Sequence, residues 1–350
     1  NTDMVVGAKK LPKPGETLIG HKFFMNPGGK GGNQAVAAAR LGGEVSMVAN
    51  LGVDVFGDSA IAKLTDEGID CEGISRDNDS PSGVAIINVD DEGENQIVVA
   101  PGANANLNTR LVSAALEQIA PSSIVLLQLE IPILSVARVI EVCQQKRCRV
   151  ILDPAPAQAL PKSVFEGTYL LTPNKNEAEL LSGISISDRD SVTCAAEKLL
   201  KFGVTNVAIT LGSQGVFLAN SDQKQLLKAT SVSAIDTTAA GDCFNGAVAA
   251  KLSQGCSLIE GIRFGIQASS ICVTRHGAQD AMPYTNEIEY RVSGEAFYTK
   301  PNKEIYMVKK IVKKVTGYSP KLNCRGGTSD SRFLGSIPRL ELGLRNNTIH

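Results

Sequence analysis

The chain has eight cysteines but no CxxC pair, and its three histidines, His21, His276 and His350, lack ligand-like spacing. Those absences argue against a disulfide framework and a structural zinc site, and for a reducing, cytoplasmic location. No apolar run approaches the ~20 residues of a membrane span, and the amino end has neither the basic start nor the apolar core of a signal peptide. No membrane partner is therefore expected. Basic residues are in short supply over residues 1–290, where 23 Lys and Arg face 32 Asp and Glu. Such a body is too acidic to suggest a nucleic-acid partner. Residues 291–350 reverse the balance, with twelve Lys and Arg against four Asp and Glu. That break in composition marks a boundary near residue 290.

The chain is otherwise of ordinary globular composition, 43% hydrophobic and 20% charged over 350 residues, enough for one large domain with a subdomain or for two domains. The most informative stretch is DTTAAGDCF, residues 236–244. It follows an apolar, β-branched segment over 230–235, read as a strand, and opens an Ala-rich helix running toward Gly255. Small residues at Ala239, Ala240 and Gly241 let the N–H groups of the turn point outward together, which suits an anion. Asp242 lies in the same turn. An anion hole beside a carboxylate fits phosphoryl transfer to a hydroxyl, the carboxylate taking the hydroxyl proton. The same residues also fit a plain helix start with a stabilising acid in its first turn.

A second glycine cluster, PGGKGGN over 27–33, precedes a helix predicted over 34–41. It has neither P-loop nor GxGxxG spacing, and a bare tight turn explains it as well as a ligand does. Strands are expected over 18–25, 83–89 and 96–99, the last two joined by a hairpin at 90–94, making a small sheet of their own. Further strands are read over 45–50, 124–129, 149–152, 169–172 and 206–210. Helices over 58–67, 109–119, 134–145, 177–181 and 191–202 alternate with them. That alternation predicts an α/β fold with a mostly parallel sheet covered on both faces. Glu130, Asp153, Asn174, Glu177 and Gly212 all fall just beyond the carboxyl ends of strands, the edge where open α/β sheets bind ligands. Each has a plainer reading: a solvated acid for Glu130, a capping box for Asn174 with Glu177, a hairpin turn for Gly212 to Gly215.

PGGKGGNQAVAAARLG and DTTAAGDCFNGA resemble the two signatures of the PfkB carbohydrate kinase family. LPKPGET, GANANL, LLQLEIP, LDPAPA, TPNKNEAE, TLGSQG and VTRHGAQDAMP stand in the order found in its ribokinase group. The resemblance covers residues 1 to about 290. It implies a ribokinase-like three-layer sandwich with a small β-sheet lid that serves as a homodimer interface, and ATP-dependent phosphorylation of D-ribose at its 5-hydroxyl. Asn1, Asp3, Gly29, Lys30, Asn33 and Glu130 would hold the sugar, Asp242 would be the base, and Ala239, Ala240 and Gly241 the anion hole. Asn174, Thr210, Gly212, Gly215 and Gly241 would line the nucleotide site, with Glu177 organising Mg²⁺ through water. K⁺ would bind near Asp236, with Thr238, Cys272, Arg275, Gly277 and Ala281 offering mostly backbone carbonyls. Asp242, beside a helix start, is expected to stay ionised.

The chain departs from the family twice. The family has an apolar central strand immediately before the position of Asn1, which this sequence lacks. A sheet missing its first core strand, lower stability and poorly anchored contacts at Asn1 and Asp3 are expected. The second departure is the tail. VSGEAFYTKP, CRGGTSDSRFLGS and LELGLRNNTIH resemble the carboxyl end of succinyl-diaminopimelate desuccinylase, a zinc-dependent M20-family hydrolase, with His350 at a ligand position. One histidine cannot make a zinc site, so the tail is read as non-catalytic. An amphipathic helix is expected over 303–316. The readings that compete with ribose phosphorylation are another sugar or nucleoside kinase of the family and a non-catalytic sugar-binding relic.

Overall fold

A computed structural model describes residues 1–288 and 303–317. The chain divides after Ile288, and residues 303–317 belong to the second unit. Among the described residues, twelve strands form three sheets. A four-stranded sheet has the order β2-β1-β5-β6, built from β1 (Thr2–Gly7), β2 (Lys22–Pro27), β5 (Val84–Val89) and β6 (Asn95–Ala100). A two-stranded parallel sheet pairs β3 (Ala49–Gly52) with β4 (Ile74–Asp77). The six-stranded sheet runs β12-β11-β10-β9-β8-β7: β7 (Ile124–Leu127), β8 (Arg149–Leu152), β9 (Leu170–Leu171) and β10 (Asn206–Thr210) are parallel, while β11 (Val216–Ala219) and β12 (Lys224–Leu227) return antiparallel.

The helices of the first unit are α1 (Lys30–Arg40), α2 (Val55–Asp66), α3 (Thr109–Ala115), α4 (Ile133–Lys146), α5 (Lys162–Glu166), α6 (Lys175–Ser182), α7 (Arg189–Lys201), α8 (Ala240–Ser253), α9 (Leu258–Cys272) and α10 (Thr285–Ile288). In the second unit α11 (Lys303–Thr316) carries Ile311 and Val315 exposed on the aliphatic side of an amphipathic helix, opposite a lysine face. No helix among the described residues is long and apolar enough to cross a membrane. The tail motifs and His350 lie outside the described residues.

Period-2 alternation explains why the central strands read as continuous apolar runs. Val150, Leu152, Leu171, Val207, Ile209 and Phe217 share one core with α4 and α7. Their neighbours Ile151, Leu170, Ala208, Val216 and Leu218 share another with α8 and α9. Helices on both faces of one sheet make the three-layer sandwich.

Several sequence expectations need correction. Strand β1 was not foreseen, and it changes the picture of the amino end. It lies between β2 and β5, paired on both sides from Thr2 to Gly7, so Asp3 is anchored by two ladders rather than frayed. The lid therefore has four strands, and its second begins at Lys22, not near residue 18. No strand forms over 230–235. There the chain is exposed, with Val232 and Ile235 open to solvent, and Ile235 N–H is tied to Val273 O instead. β-branched composition alone did not make a strand there. The six-stranded sheet ends at β7, the two-stranded sheet ends at β3, and a cavity of about 1660 Å³ is lined by residues of both, among them Ala49, Leu51, Ile124 and Leu126.

Candidate active site

Two helices bring the central residues together. Helix α1 is alanine-rich and buries Asn33 through Ala38; α8 buries Asp242 through Ala250. They pack at backbone distance because Gly246 has no side chain. A Cβ there would lie 2.6 Å from Ala37 Cβ and 2.7 Å from Gln34 O. Gly246 is one turn beyond Asp242, so this close crossing sets Asn33 and Gln34 directly against the carboxylate. Asn33 Nδ2 donates to Asp242 Oδ2 at 2.9 Å, and Gln34 Nε2 donates to Asp242 Oδ1 at 3.0 Å. Asp242 is 4% exposed.

Helix α8 begins as an anion site should. Ala239 takes the left-handed conformation, φ 56°, and no side chain caps the helix. Ala240 N–H reaches Thr237 O and Cys243 N–H reaches Ala239 O. The N–H groups of Gly241 and Asp242 meet no acceptor among the described residues. Unpaired donors at a positive dipole end are suited to phosphate oxygens.

Around this centre the structure gathers a ring of acids. Glu130 Oε2 accepts the Lys30 N–H at 2.8 Å, tying the loop after β7 to the first turn of α1. Asp153, beyond the end of β8, accepts from Gln34 Nε2 at 2.9 Å. Burial pushes the Asp153 carboxyl up to about 8 and Asp3 up to about 6. Burial also raises Glu177 and Asp242. For Asp242 this differs from the expectation of an easily ionised acid: Lys30, Asn33 and Gln34 pull its pKa down, but desolvation outweighs them. Burial alone would lower the Lys30 ammonium, yet Asp242, Asp153, Glu130 and Glu177 together raise it. Asn33 Oδ1 is buried and has no hydrogen-bond partner among the described residues. A buried acceptor left unpaired costs ~1–3 kcal/mol, so it is suited to a donor such as a sugar hydroxyl. Asn1 and Asp3 stand at the lid side of this ring. Asn1 Oδ1 accepts from Asn104 Nδ2 at 2.7 Å, and a Cβ on Gly28 would meet the Asp3 carboxylate. Gly29 caps α1 next to Asn1.

The residues expected to line a nucleotide site are brought together in part. Asn174, Thr210 and Gly212 line a second cavity of about 420 Å³ with Ser187, Asp188 and Arg189. Gly215 does not line it. Its φ is 107°, and a Cβ there would lie 2.0 Å from Leu227 O, so the turn between β10 and β11 requires glycine. Asn174 and Glu177 form a complete capping box, Asn174 Oδ1 accepting Glu177 N–H at 2.9 Å and Glu177 Oε2 accepting Asn174 N–H at 2.8 Å. Glu177 still faces Lys30 and Asp242 electrostatically, so it spans the helix cap and the site.

At the other end of the turn Asp236 accepts from Thr238 N–H at 2.9 Å and Gly277 N–H at 3.0 Å. Burial works against its charge, but these bonds hold its pKa below the usual value. Cys272 and Ala281 are buried in one core cluster nearby. The Arg275 side chain turns away to Glu287. Among the described residues no group of three His, Cys, Asp or Glu side chains is arranged to hold a metal. The residues that sequence reasoning did not assign are Gln34, Gln128 and Asn104. All three stand inside motifs that carry the family resemblance, PGGKGGNQAVAAARLG, LLQLEIP and GANANL, but nothing in those stretches alone gave them a role.

The family profile that matches, pfkB family carbohydrate kinase, spans residues 2–285. The chain belongs to this family. It is 40% identical over 287 residues to a ribokinase of Haemophilus influenzae, covering 82% of this chain and 94% of that one. It is 39% identical over 292 residues to a ribokinase of Bacillus subtilis, covering 83% and 96%. A crystal structure of Thermotoga maritima ribokinase superposes with a TM-score of 0.74 at 40% identity, over 83% of this chain and 95% of that one. An Arabidopsis thaliana ribokinase solved with ribose and ATP gives 0.75 at 30% identity, over 82% and 94%. The pfkB kinase fold thus accounts for the first unit, and the acid ring lies between its lid and its main sheet.

Proposed function

We propose that this chain transfers the γ-phosphoryl group of ATP to the 5-hydroxyl of D-ribose, giving ribose 5-phosphate and ADP. The observation that carries the reading is Asp242: a buried carboxylate, held through both oxygens, beside the unpaired N–H groups that open α8. The hydroxyl proton passes to Asp242 as the sugar oxygen bonds to the γ-phosphorus. The bond from that phosphorus to the β,γ-bridging oxygen breaks, and ADP departs. The Gly241 and Asp242 N–H groups, with Ala239 and Ala240 shaping the turn, bind the transferring oxygens where their charge develops. Asn1, Asp3, Gly29, Lys30, Asn33 and Glu130 hold the sugar, and buried polar groups left unpaired by an absent hydroxyl give selectivity. Asn174, Thr210 and Gly212 receive the nucleotide.

The carboxyls of Asp3, Glu130, Asp153, Glu177 and Asp242 around the Lys30 ammonium fit a polyphosphate only when a divalent cation accompanies it. Mg²⁺ with ATP supplies that neutralisation, and Glu177 would place it through water. For K⁺, Asp236 is the one carboxylate, and Thr238, Cys272, Arg275, Gly277 and Ala281 have only carbonyls or a hydroxyl to give. Ala281 brings no side-chain oxygen. A homodimer through the lid is the remaining part of the reading. It is supported by Met25, Ile86 and Val98, which stand in register on one face of the four-stranded sheet with Phe23 beside them, a row of exposed apolar side chains.

The test is ADP release with Mg-ATP, with and without ribose, at low and high K⁺. Ribose-dependent turnover that rises with K⁺ is expected. Asp242→Asn should lower kcat by roughly 10²–10⁴-fold with the fold intact. Ribose-independent ADP release, or full turnover by Asp242→Asn, would overturn the reading.

A further inference from the structure

Gln34 is fully buried, and every hydrogen-bonding edge of its amide is in use. One amide hydrogen goes to Asp242 Oδ1 at 3.0 Å and the other to Asp153 Oδ2 at 2.9 Å. Its carbonyl oxygen accepts from Gln128 Nε2 at 2.6 Å. Gln128 stands just past β7, on the lining of the large cavity between β7 and β3, and it is only half-buried.

We propose that Gln34 is a positioning residue for Asp242 and that Gln128 supports Gln34's orientation. The proposal rests on the reading of Asp242 as the base. A flipped Gln34 amide would aim its oxygen at the Asp242 carboxylate and its N–H groups at the Gln128 N–H group. Asp242 disfavours that flip, and the Gln128 N–H that donates to the Gln34 oxygen supports the same orientation. In that orientation Gln34 gives Asp242 one donor while Asn33 gives the other, so the carboxylate cannot rotate without breaking two bonds. Donors to the ionised carboxylate also favour its charged form, which burial otherwise opposes. The charged and titratable groups facing Asp242 come from several elements: Lys30 on α1, Glu130 after β7, Asp153 after β8, Glu177 on α6 and Asp3 on β1. Gln34 bonds to two of these acids at once and holds them apart. The chain Gln128–Gln34–Asp242 thereby links the end of β7 to the reacting centre.

The experiment compares Gln34→Leu, Gln128→Leu, their double variant and Asp242→Asn in the full chain. It reads kcat against pH, the KM for ribose, and thermal midpoint. Gln34→Leu should lower kcat at neutral pH roughly 10–100-fold, with its acid limb moved to higher pH and the ribose KM little changed. Gln128→Leu should move the limb the same way by less, and the double variant should be no worse than Gln34→Leu. Should Gln34→Leu fail to fold, the half-buried Gln128→Leu carries the test alone. An inactive Asp242→Asn with unmoved acid limbs in the glutamine variants would overturn the positioning role and leave the base standing. Additive losses would break the proposed relay. An active Asp242→Asn would remove the base itself, and with it this proposal.

Discussion

Asp153 makes the folded state sensitive to pH in a direction that can be worked out. It is 6% exposed, and burial lifts its pKa from 3.8 to about 8. A carboxyl whose folded pKa is raised contributes stability that is whole below its unfolded pKa and is lost as pH rises toward the folded one. Over the whole range the linkage amounts to something on the order of 5 kcal/mol. Asp3, raised to about 6, contributes with the same sign, but its share is spent by pH 6. Between pH 6 and 8 the share of Asp153 is a loss of about 2.3 kcal/mol; Asp242 and Glu177, which burial also raises, are present in the Asp153→Asn variant too and cancel to first order in the comparison. At ~2–4 °C per kcal/mol for a domain of this size, the Asp153 share is a fall in Tm of about 5–9 °C. Asp153→Asn keeps an oxygen to accept from Gln34 but has no proton to lose. Thermal melts of both proteins at pH 5, 6, 7, 8 and 9 decide the matter. The wild-type midpoint should fall relative to the variant's between pH 6 and 8 and then run level with it. Only the slope counts, since the variant's own stability is free to differ. A difference in midpoint that does not change with pH would refute the argument.

Gly215→Ala should cost several kcal/mol, because the added Cβ would strike Leu227 O at 2.0 Å in a backbone conformation unfavourable to alanine; a melt within a degree or two of wild type would show that the hairpin has another way to close. The edge of β7, unpaired among the described residues, gives a second expectation. Arg149 N–H bonds Ser123 O and Asp153 N–H bonds Leu127 O, so by alternation the N–H groups of Ile124 and Leu126 face away from β8 into the cavity that Asn1 and Thr2 also line. They should exchange with solvent faster than those of Val150 and Ile151. A six-residue apolar, β-branched extension ahead of Asn1 should slow that exchange and raise Tm above that of an equal-length Gly/Ser extension. Equal midpoints would mean that the cavity does not take a strand.

What the sequence made legible follows from how local each signal is. The parallel strands and their covering helices were readable because two-faced burial demands uninterrupted apolar runs, as in Val150-Ile151-Leu152. The acids at strand ends were readable because they interrupt such runs. Asp242 was found from its turn chemistry. Strand β1 was missed because TDMVVG opens with polar residues and only half-buries its side chains; its pairing depends on β2 and β5, which no local pattern reveals. The 230–235 segment erred the other way, β-branched but forming no strand. Gln34 shows the limit most clearly. Its importance arises from Gly246, which lies far along the chain and lets α1 approach α8 closely enough for one amide to bridge two carboxylates. Composition and spacing identify the groups that do chemistry. The groups that aim them are selected by packing between distant segments, and only the folded chain shows which those are.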